Sequence, residues 1–426
     1  MKRFSVPVSL QTHWQNIAAL MLVITALFAS ATSHAATKAA GAEPRVPVVM
    51  LSLDGFRNDY INRGYSPNLA QLANSGLTSR GLTPVFPSST FTNHYSIVTG
   101  MYPQRHGIVG NTFYDRTRKQ TYRISNRKVV EDGSWYSGTP LWVAVEKAGG
   151  IAASFFWVGS EADIQGVRPS HYRTYDGRVK NSRRVQQVLQ WLQLPVAQRP
   201  NLITFYFSDV DSAGHDFGPD SAEVNAAIGK IDKEIGQLLE GLEALPYQVN
   251  LIITSDHGMA EVSPDQIHYL SDWVDISQWR KNSRVISGGA YLYFYSDNNE
   301  LIKTTQNNLR KVKGLSVHQQ DRFPQEMRLG GGSRSPNFVV TVESPGYLMT
   351  RRPKGRANIP AGAHGYLPST NPDMQGLFVA KGPNITPGKM ASFENIHVYP
   401  FVMALLGLET DEEIDGRHSV LADFIQ

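Results

Sequence analysis

The chain has 426 residues, of which 41% are apolar, so it can bury the core of one large domain or two ordinary ones. It contains no cysteine, which excludes disulfides, thiolate nucleophiles and thiolate metal ligands. The formal charge of +4 is small for this length and argues against sequence-specific nucleic-acid binding.

The N-terminus has the pattern of an export signal. Lys2 and Arg3 precede an apolar run over residues 17–29, and small residues follow up to Ala35. The run is shorter than the ~20 residues that span a bilayer, although an uncleaved anchor is the alternative. We predict an exported protein, periplasmic or secreted, without stable membrane insertion after cleavage. Its signal peptide would cover residues 1–35 and a linker residues 36–45.

Five nearly continuous apolar runs predict strands that are buried on both faces, as in a parallel sheet covered by helices. They cover residues 46–53, 151–158, 202–207, 249–254 and 377–380. Helical spacing of apolar residues separates most of them, most clearly over residues 221–245, after a serine cap. The alternation predicts an α/β fold, with a doubly wound, mostly parallel central sheet flanked by helices.

Residues from roughly 264 to 345 have a different composition, with an aromatic run over 290–295 and loops rich in Asn and Gly. This change in composition predicts a small inserted α+β subdomain within a catalytic domain that covers residues 46–426.

Acidic residues and histidines follow the predicted strands, where ligand sites form in open α/β sheets. A single strand-end aspartate is often only a helix cap, and most histidines are ordinary surface or core residues. Together, three aspartates and three histidines match the ligands of two divalent cations, and zinc is the common metal for mixed nitrogen and oxygen sites. The candidate ligands are Asp54, Asp211, His215, Asp256, His257 and His364.

Three consecutive hydroxyl residues, Ser88, Ser89 and Thr90, precede an aromatic residue. Such clusters after a proline are usually turns or helix caps, because their side chains bond to nearby backbone N–H groups. The alternative is that one of them is a nucleophile.

Five motifs occur together and in order: LSLDGFR around Asp54, FPSSTFTNHYSIVTGMYPQRHGIVGN over 86–111, DSAGHDFGP over 211–219, SDHGM over 255–259 and GAHGY over 362–366. In this combination the chain resembles the nucleotide pyrophosphatase/phosphodiesterase family of the alkaline phosphatase superfamily. The resemblance covers nearly all of the mature chain and implies an alkaline-phosphatase-like fold. Thr92 stands where many relatives have proline, and Asp209 with Val210 replaces the more usual Glu-Pro pair.

The resemblance implies two zinc ions per chain. Asp211, His215 and His364 would hold one of them. The other would be held by Asp54, Asp256 and His257, with the oxygen of Thr90 also bound.

The resemblance also implies roles in catalysis. Thr90 would be the nucleophile, and Asn111 would support a nonbridging phosphate oxygen alongside a backbone N–H near Thr90. Phe91 and Tyr175 would hold a nucleobase between them.

The predicted activity is zinc-dependent hydrolysis of nucleotide phosphodiester and pyrophosphate bonds. It would proceed through a covalent nucleotidyl-threonine and release a nucleoside monophosphate. The partners would be small nucleotide phosphodiesters or pyrophosphates. The alternatives are a phosphodiesterase that acts on choline-type or other lipid head groups, a phosphomonoesterase, and an exported metal-binding protein without catalysis.

Overall fold

The computed structural model describes residues 46–280, 283–353, 359–409 and 412–426. The predicted signal peptide over residues 1–35 and the linker over 36–45 lie outside this part of the chain. Residues Val46–Gln426 form one compact unit.

The strands are named in chain order. They are β1 Val48–Leu53, β2 Leu77–Ser79, β3 Leu82–Thr83, β4 Thr112–Asp115, β5 Gln120–Arg123, β6 Ala152–Phe155, β7 His171–Arg173, β8 Leu202–Phe207, β9 Asn250–Thr254, β10 Ala260–Glu261, β11 Ile267–Tyr269, β12 Arg284–Ser287, β13 Tyr291–Tyr295, β14 Leu315–Gln319, β15 Phe338–Val342, β16 Tyr347–Met349, β17 Gly362–Ala363, β18 Phe378–Lys381, β19 Gly388–Met390 and β20 Phe393–Glu394.

The helices are also named in chain order, and short 3₁₀ helices connect several of them. They are α1 Pro67–Ser75, α2 Thr90–Thr99, α3 Pro103–His106, α4 Arg127–Val130, α5 Leu141–Lys147, α6 Asn181–Leu192, α7 Asp209–Phe217, α8 Ala222–Glu243, α9 Asn299–Leu309 and α10 Val398–Leu405.

An eight-stranded sheet forms the centre of the fold, in the order β19-β2-β18-β9-β1-β8-β6-β7. Strands β9, β1, β8, β6 and β7 run parallel to one another, and β18 is antiparallel to both of its neighbours. The predicted α/β class with a mostly parallel sheet is confirmed, and each of the five predicted strand runs overlaps a strand of this sheet.

The packing of the central strand β1 explains why its sequence is almost continuously apolar. Val48 and Met50 belong to one buried cluster, whereas Val49, Leu51 and Leu53 belong to another. Helices α2, α5 and α10 contribute to the first cluster, and α1, α6 and α8 to the second. The sheet is therefore covered on both faces, which is the condition that selects continuous apolar runs over alternating ones.

A second sheet, β12-β13-β15-β14, is antiparallel and lies within the segment predicted as an insert. It packs with α9 around a buried cluster of its own. Arg334 of this segment ties it to the rest of the chain, because its guanidinium donates to the carbonyls of Gly107 and Trp135 and to the carboxylate of Asp115. We propose that residues from roughly 264 to 345 form a subdomain inserted in the catalytic domain over 46–426.

Candidate active site

Three aspartates lie at one edge of the central sheet. Asp54 directly follows β1, Asp256 follows β9 by two residues, and Asp211 lies in the first turn of α7, just after β8. Strand β1 pairs in parallel with both β8 and β9, so the carboxyl ends of all three strands meet at this edge. The topology therefore brings together residues that are far apart in the sequence.

The first cluster contains Asp211, His215 and His364. One ligand atom from each residue lies within 4.8 Å of the others. His215 follows Asp211 by one turn of α7, and its Nε2 is 3.5 Å from Asp211 Oδ1. Nε2 of His364 is 3.7 Å from the same oxygen. All three residues are half-buried, so the cluster is open to the cleft.

The second cluster contains Asp54, Asp256 and His257, and it is fully buried. Nε2 of His257 lies 3.5 Å from Asp54 Oδ1 and 3.1 Å from Asp256 Oδ2. The rings of His257 and His364 stack with centroids 3.7 Å apart, so the two clusters adjoin.

The three histidines are oriented in the same way. In each ring Nδ1 lies 2.8 Å from a backbone carbonyl oxygen and must therefore carry the proton. Nε2 then presents a lone pair to the carboxylates, as in metal-ligating histidines held by outer-shell partners. The carbonyls belong to Gly362 for His215, to Gly258 for His257 and to Ser88 for His364.

Each of the three aspartates has one carboxylate oxygen without a hydrogen-bond partner. Asp54 Oδ1, Asp211 Oδ1 and Asp256 Oδ2 are buried and accept no hydrogen bond, and these atoms are the ones that face the imidazole Nε2 atoms. Lone pairs facing lone pairs repel one another unless a cation lies between them. The donor set of carboxylate oxygens and imidazole nitrogens fits a divalent metal such as zinc.

Burial shifts the protonation of these groups. It raises the pKa of Asp54 and of Asp256 well above the ordinary carboxyl range, and repulsion from neighbouring aspartates adds to the effect. It also lowers the pKa of His257 well below its usual range and that of His364 to about 4. Both imidazoles are therefore neutral at physiological pH.

The Thr90 hydroxyl points into this site. Thr90 is the first residue of α2, and its Oγ1 lies 3.4 Å from Nε2 of His257. The preceding Ser89 occupies the cap position, but its side chain makes no capping hydrogen bond. Ser88 Oγ instead donates to the carbonyl of Tyr366. The hydroxyl cluster therefore does not cap α2.

Asn111 is placed beside the start of α2. Its Oδ1 accepts a hydrogen bond of 2.9 Å from the backbone N–H of Phe91. The backbone N–H of Phe91 can bond to the amide oxygen but not to the amide NH₂ group. The bond therefore fixes the orientation of the amide and leaves Nδ2 as a donor.

A cleft of about 450 Å³ opens in front of these residues. Tyr175 lies on its wall with 43% of the residue exposed, and its ring centroid is 5.1 Å from that of Phe156. Asp256 and His257 lie behind the wall, in the buried cluster. The predicted site residues that line the cleft are Asp54, Thr90, Phe91, Asn111, Tyr175, Asp211, His215 and His364.

Four residues near the site were not predicted as site residues from the sequence. Tyr206 donates a 2.5 Å hydrogen bond to Asp54 Oδ2, and His94 Nδ1 lies 2.9 Å from the carbonyl oxygen of Thr90. Arg127 and Glu161 line the cleft and form an ion pair. The position of His94 one turn after Thr90 could have indicated it, whereas no pattern singles out the other three.

Comparison with known proteins links this site to a family. The sequence-family model for type I phosphodiesterase/nucleotide pyrophosphatase matches residues 48–367 of this chain. Human ectonucleotide pyrophosphatase/phosphodiesterase family member 1 is 34% identical over 389 residues, which are 88% of this chain and 41% of the relative. The venom phosphodiesterase of Macrovipera lebetinus is 34% identical over 400 residues, which are 92% of this chain and 46% of the relative. The chain thus spans somewhat under half the length of these curated relatives.

Solved structures show the same fold. Murine ectonucleotide pyrophosphatase/phosphodiesterase 5 superposes with a TM-score of 0.83 at 25% identity, covering 89% of this chain and all of that chain. An inactive threonine-to-alanine variant of the same protein, in complex with AMP, also gives 0.83 at 25% identity and covers 90% of this chain and 100% of that chain. These neighbours confirm the predicted alkaline-phosphatase-like fold class.

Among the helices of the described residues, none combines the length and the apolar character needed to cross a bilayer.

Proposed function

The chain belongs to the type I phosphodiesterase/nucleotide pyrophosphatase family, and from this premise we propose that it hydrolyses nucleotide phosphodiester and pyrophosphate bonds with the aid of zinc. The match confirms the family predicted from the motifs and places the chain in a family of enzymes. One observation carries the finer proposal: the Thr90 hydroxyl lies beside two Asp/His clusters in a cleft that Phe91 and Tyr175 also line.

We propose that each cluster holds one zinc ion. Asp211, His215 and His364 would form one site. The unpartnered carboxylate oxygens and the inward Nε2 atoms support this assignment. When bound, zinc would supply Lewis-acid stabilisation of the attacking and departing oxygens and of an alkoxide at Thr90. The second site would be formed by Asp54, Asp256 and His257, with the Thr90 oxygen as a further ligand.

Thr90 acts as the nucleophile in this proposal. Its Oγ1 forms a bond to phosphorus as the bond to the leaving oxygen breaks, and water later hydrolyses the nucleotidyl-threonine to release the nucleoside monophosphate. The start of α2 adds a favourable partial positive charge for phosphate next to Thr90. The murine relative has an inactive threonine-to-alanine variant that is seen with AMP, which supports a threonine as the essential residue and a nucleotide as the ligand class.

Asn111 is proposed to hold a nonbridging phosphate oxygen through its Nδ2. We expect Asn111→Ala to lower kcat/KM for nucleotide diesters by about 10²–10³, as for other lost oxyanion donors. Asn111→Asp is a second variant of similar shape, which can still accept from the Phe91 N–H but offers no amide donor and adds a negative charge, so it should lose at least as much activity. Initial-rate kinetics on both variants test the role. Wild-type kcat/KM in either variant contradicts it.

The aromatic residues support a nucleotide diester over a monoester. Phe91 and Tyr175 line the cleft and offer ring faces to a base, and the uncharged Asn111 suits the single charge of a diester. Hydrolysis of p-nitrophenyl thymidine monophosphate, p-nitrophenyl phosphate and p-nitrophenyl phosphorylcholine by the zinc-loaded protein tests this preference. The nucleotide diester is expected to be the best substrate. A preference for phosphorylcholine would move the substrate to lipid head groups, and a preference for the monoester would contradict the phosphate clamp.

Zinc affinity should depend on pH through the carboxyl groups. Below their raised pKa, Asp54 and Asp256 carry protons that a cation must displace, so affinity increases as pH rises through that pKa and levels off above it. His364, with its pKa lowered to about 4, is already neutral and adds no slope near neutral pH. Competition with a calibrated chelator between about pH 5 and 8 measures the curve. A flat curve would contradict the protonated carboxyls.

A further inference from the structure

The peptide group that follows Thr90 is held by side chains at both of its polar groups. Its N–H, which belongs to Phe91, donates a 2.9 Å hydrogen bond to Asn111 Oδ1. Its carbonyl oxygen, which belongs to Thr90, lies 2.9 Å from Nδ1 of His94, one turn further along α2. A carbonyl oxygen can only accept, so Nδ1 of His94 carries a proton and donates this bond. The plane of the peptide next to Thr90 is therefore fixed from two directions.

The ring of His94 is itself held in place. His94 is fully buried, and its Nε2 lies 2.8 Å from Oγ of Ser52 in β1. The rings of Trp157 and Tyr206 pack edge-on against the imidazole, with centroid distances of 5.2 and 5.3 Å. The indole N–H of Trp157 also donates a 3.2 Å hydrogen bond to the backbone carbonyl of His94. The imidazole therefore cannot turn away from Thr90 without losing its contacts with β1 and with Trp157.

These contacts join Thr90 to the edge of the sheet that carries the Asp/His clusters. Ser52 lies two residues before Asp54, and Nδ1 of His94 is 3.2 Å from Oδ2 of Asp256. A single torsion angle, χ1, separates the backbone of Thr90 from its hydroxyl, so the direction of Oγ1 depends on how the backbone is held. Displacement of a reacting group by about 1 Å can cost on the order of 10² in rate. A side chain that fixes this backbone therefore affects the reaction without contacting the substrate.

We propose that His94 is a positioning residue for the nucleophile, whose Nδ1–H holds the carbonyl of Thr90 and thereby directs the Thr90 hydroxyl towards the Asp/His clusters. The inference rests on the proposed hydrolase function and adds a residue to the machinery of the same site. Because His94 is fully buried, its effect is exerted through Thr90.

Two amide variants separate the two ring nitrogens. In His94→Asn the amide nitrogen takes the place of Nδ1 and can still donate to the carbonyl of Thr90. In His94→Gln the amide extends to the place of Nε2, near Ser52, and the donor to Thr90 is lost. Glutamine is closer to histidine in volume, so a role in packing alone predicts that His94→Gln is the milder change. Positioning through Nδ1 predicts the opposite order.

Turnover of p-nitrophenyl thymidine monophosphate by the full zinc-loaded chain measures this order. We expect His94→Gln to lower kcat by about 10–100-fold, as for other lost outer-shell partners, with little change in KM. His94→Asn is expected to stay much closer to the wild type. Metal analysis should find the wild-type zinc content in both variants, which distinguishes a displaced nucleophile from a lost metal ion.

Two buried serines of the central sheet provide a matched pair of variants. Ser52→Ala removes the partner of His94 Nε2 and is expected to lower kcat by less than His94→Gln does, because Nδ1–H remains. Ser154→Ala makes the same change in β6, where Ser154 Oγ accepts a 3.0 Å hydrogen bond from Thr204, and should leave kcat as in the wild type. Thermal unfolding shows which variants are folded, and the serine pair decides the question where a His94 variant is not.

The outcomes separate this role from the proposed function. Wild-type kcat in His94→Gln, or a greater loss in His94→Asn than in His94→Gln, would overturn the positioning role and leave the hydrolase function intact. A loss of kcat that accompanies missing zinc and is reversed by excess zinc would assign His94 to the metal site instead. Equal kcat in Ser52→Ala and Ser154→Ala would also count against positioning. Failure of the wild type to hydrolyse the nucleotide diester, with zinc bound, would overturn the proposed function and this role with it.

Discussion

Replacing Thr90 by alanine is expected to lower kcat for nucleotide diesters by a factor on the order of 10⁴ or more, as for other lost nucleophiles. The reason is that the Thr90 hydroxyl, the proposed nucleophile, adjoins the Asp/His clusters. Its Oγ1 lies 3.4 Å from His257 Nε2. The six carboxylate and imidazole groups proposed as ligands are untouched by the change. Zinc content is therefore expected to stay near that of the wild type while turnover is lost.

Single-turnover kinetics and metal analysis on the same sample measure both effects. Thr90→Ser is the matched control, because it keeps the hydroxyl at the start of α2 and is expected to retain measurable turnover. Mass spectrometry of the wild type, quenched during turnover, should show a nucleotidyl adduct on Thr90 that is absent from Thr90→Ala. Near-normal turnover by the alanine variant would mean that water attacks phosphorus directly and would contradict the nucleophile assignment.

The sequence predicted the central sheet well because burial on both faces leaves a strong local signal. The run over 202–207 coincides with β8, since both faces of this strand pack against apolar clusters. The strand order and the antiparallel direction of β18 are not local properties. They depend on pairing between segments far apart in the chain, such as β18 with β2, and no window of sequence contains that information.

The six candidate metal ligands could be proposed from the sequence because carboxyl ends of parallel strands share one edge of the sheet, whereas their division into two clusters came from the family resemblance. His364 lies far in sequence from the other candidate ligands, and only the family resemblance grouped it with Asp211 and His215. The outer-shell contacts were missed for another reason. Tyr206 lies inside a buried strand, where a tyrosine reads as core, and only the structure shows its hydroxyl on Asp54.

Glu161 shows the limit most clearly. In the sequence it is one acidic residue in a loop, and neither spacing nor composition connects it with Arg127. The contact arises because the loop that follows β6 brings Glu161 against Arg127 at the start of α4, and both residues line the cleft. Loop contacts of this kind are positioned by the sheet but not determined by it.

Removal of zinc by a chelator should abolish activity and destabilise the fold. Without cations, the unpartnered oxygens of Asp54, Asp211 and Asp256 face the histidine Nε2 atoms and one another, so that ionising these carboxyl groups together is unfavourable. At a zinc concentration 100 times the Kd, bound metal contributes about 2.7 kcal/mol per site to the free energy of unfolding. Thermal unfolding with and without chelator should therefore show a clear fall in Tm, and added zinc should restore both Tm and activity.

One helix provides a matched pair of variants for this prediction. Asp211 and Asp209 both lie in the first turn of α7, but Asp211 faces the cluster, whereas Asp209 accepts hydrogen bonds from Asn181 and Lys230. Asp211→Asn should lose one zinc ion per chain and nearly all activity, because the amide removes an anionic ligand from a site of three. Asp209→Asn should keep both. Equal metal content and activity in the two variants would show that the cluster holds no catalytic cation, since charge loss on α7 is the same in each.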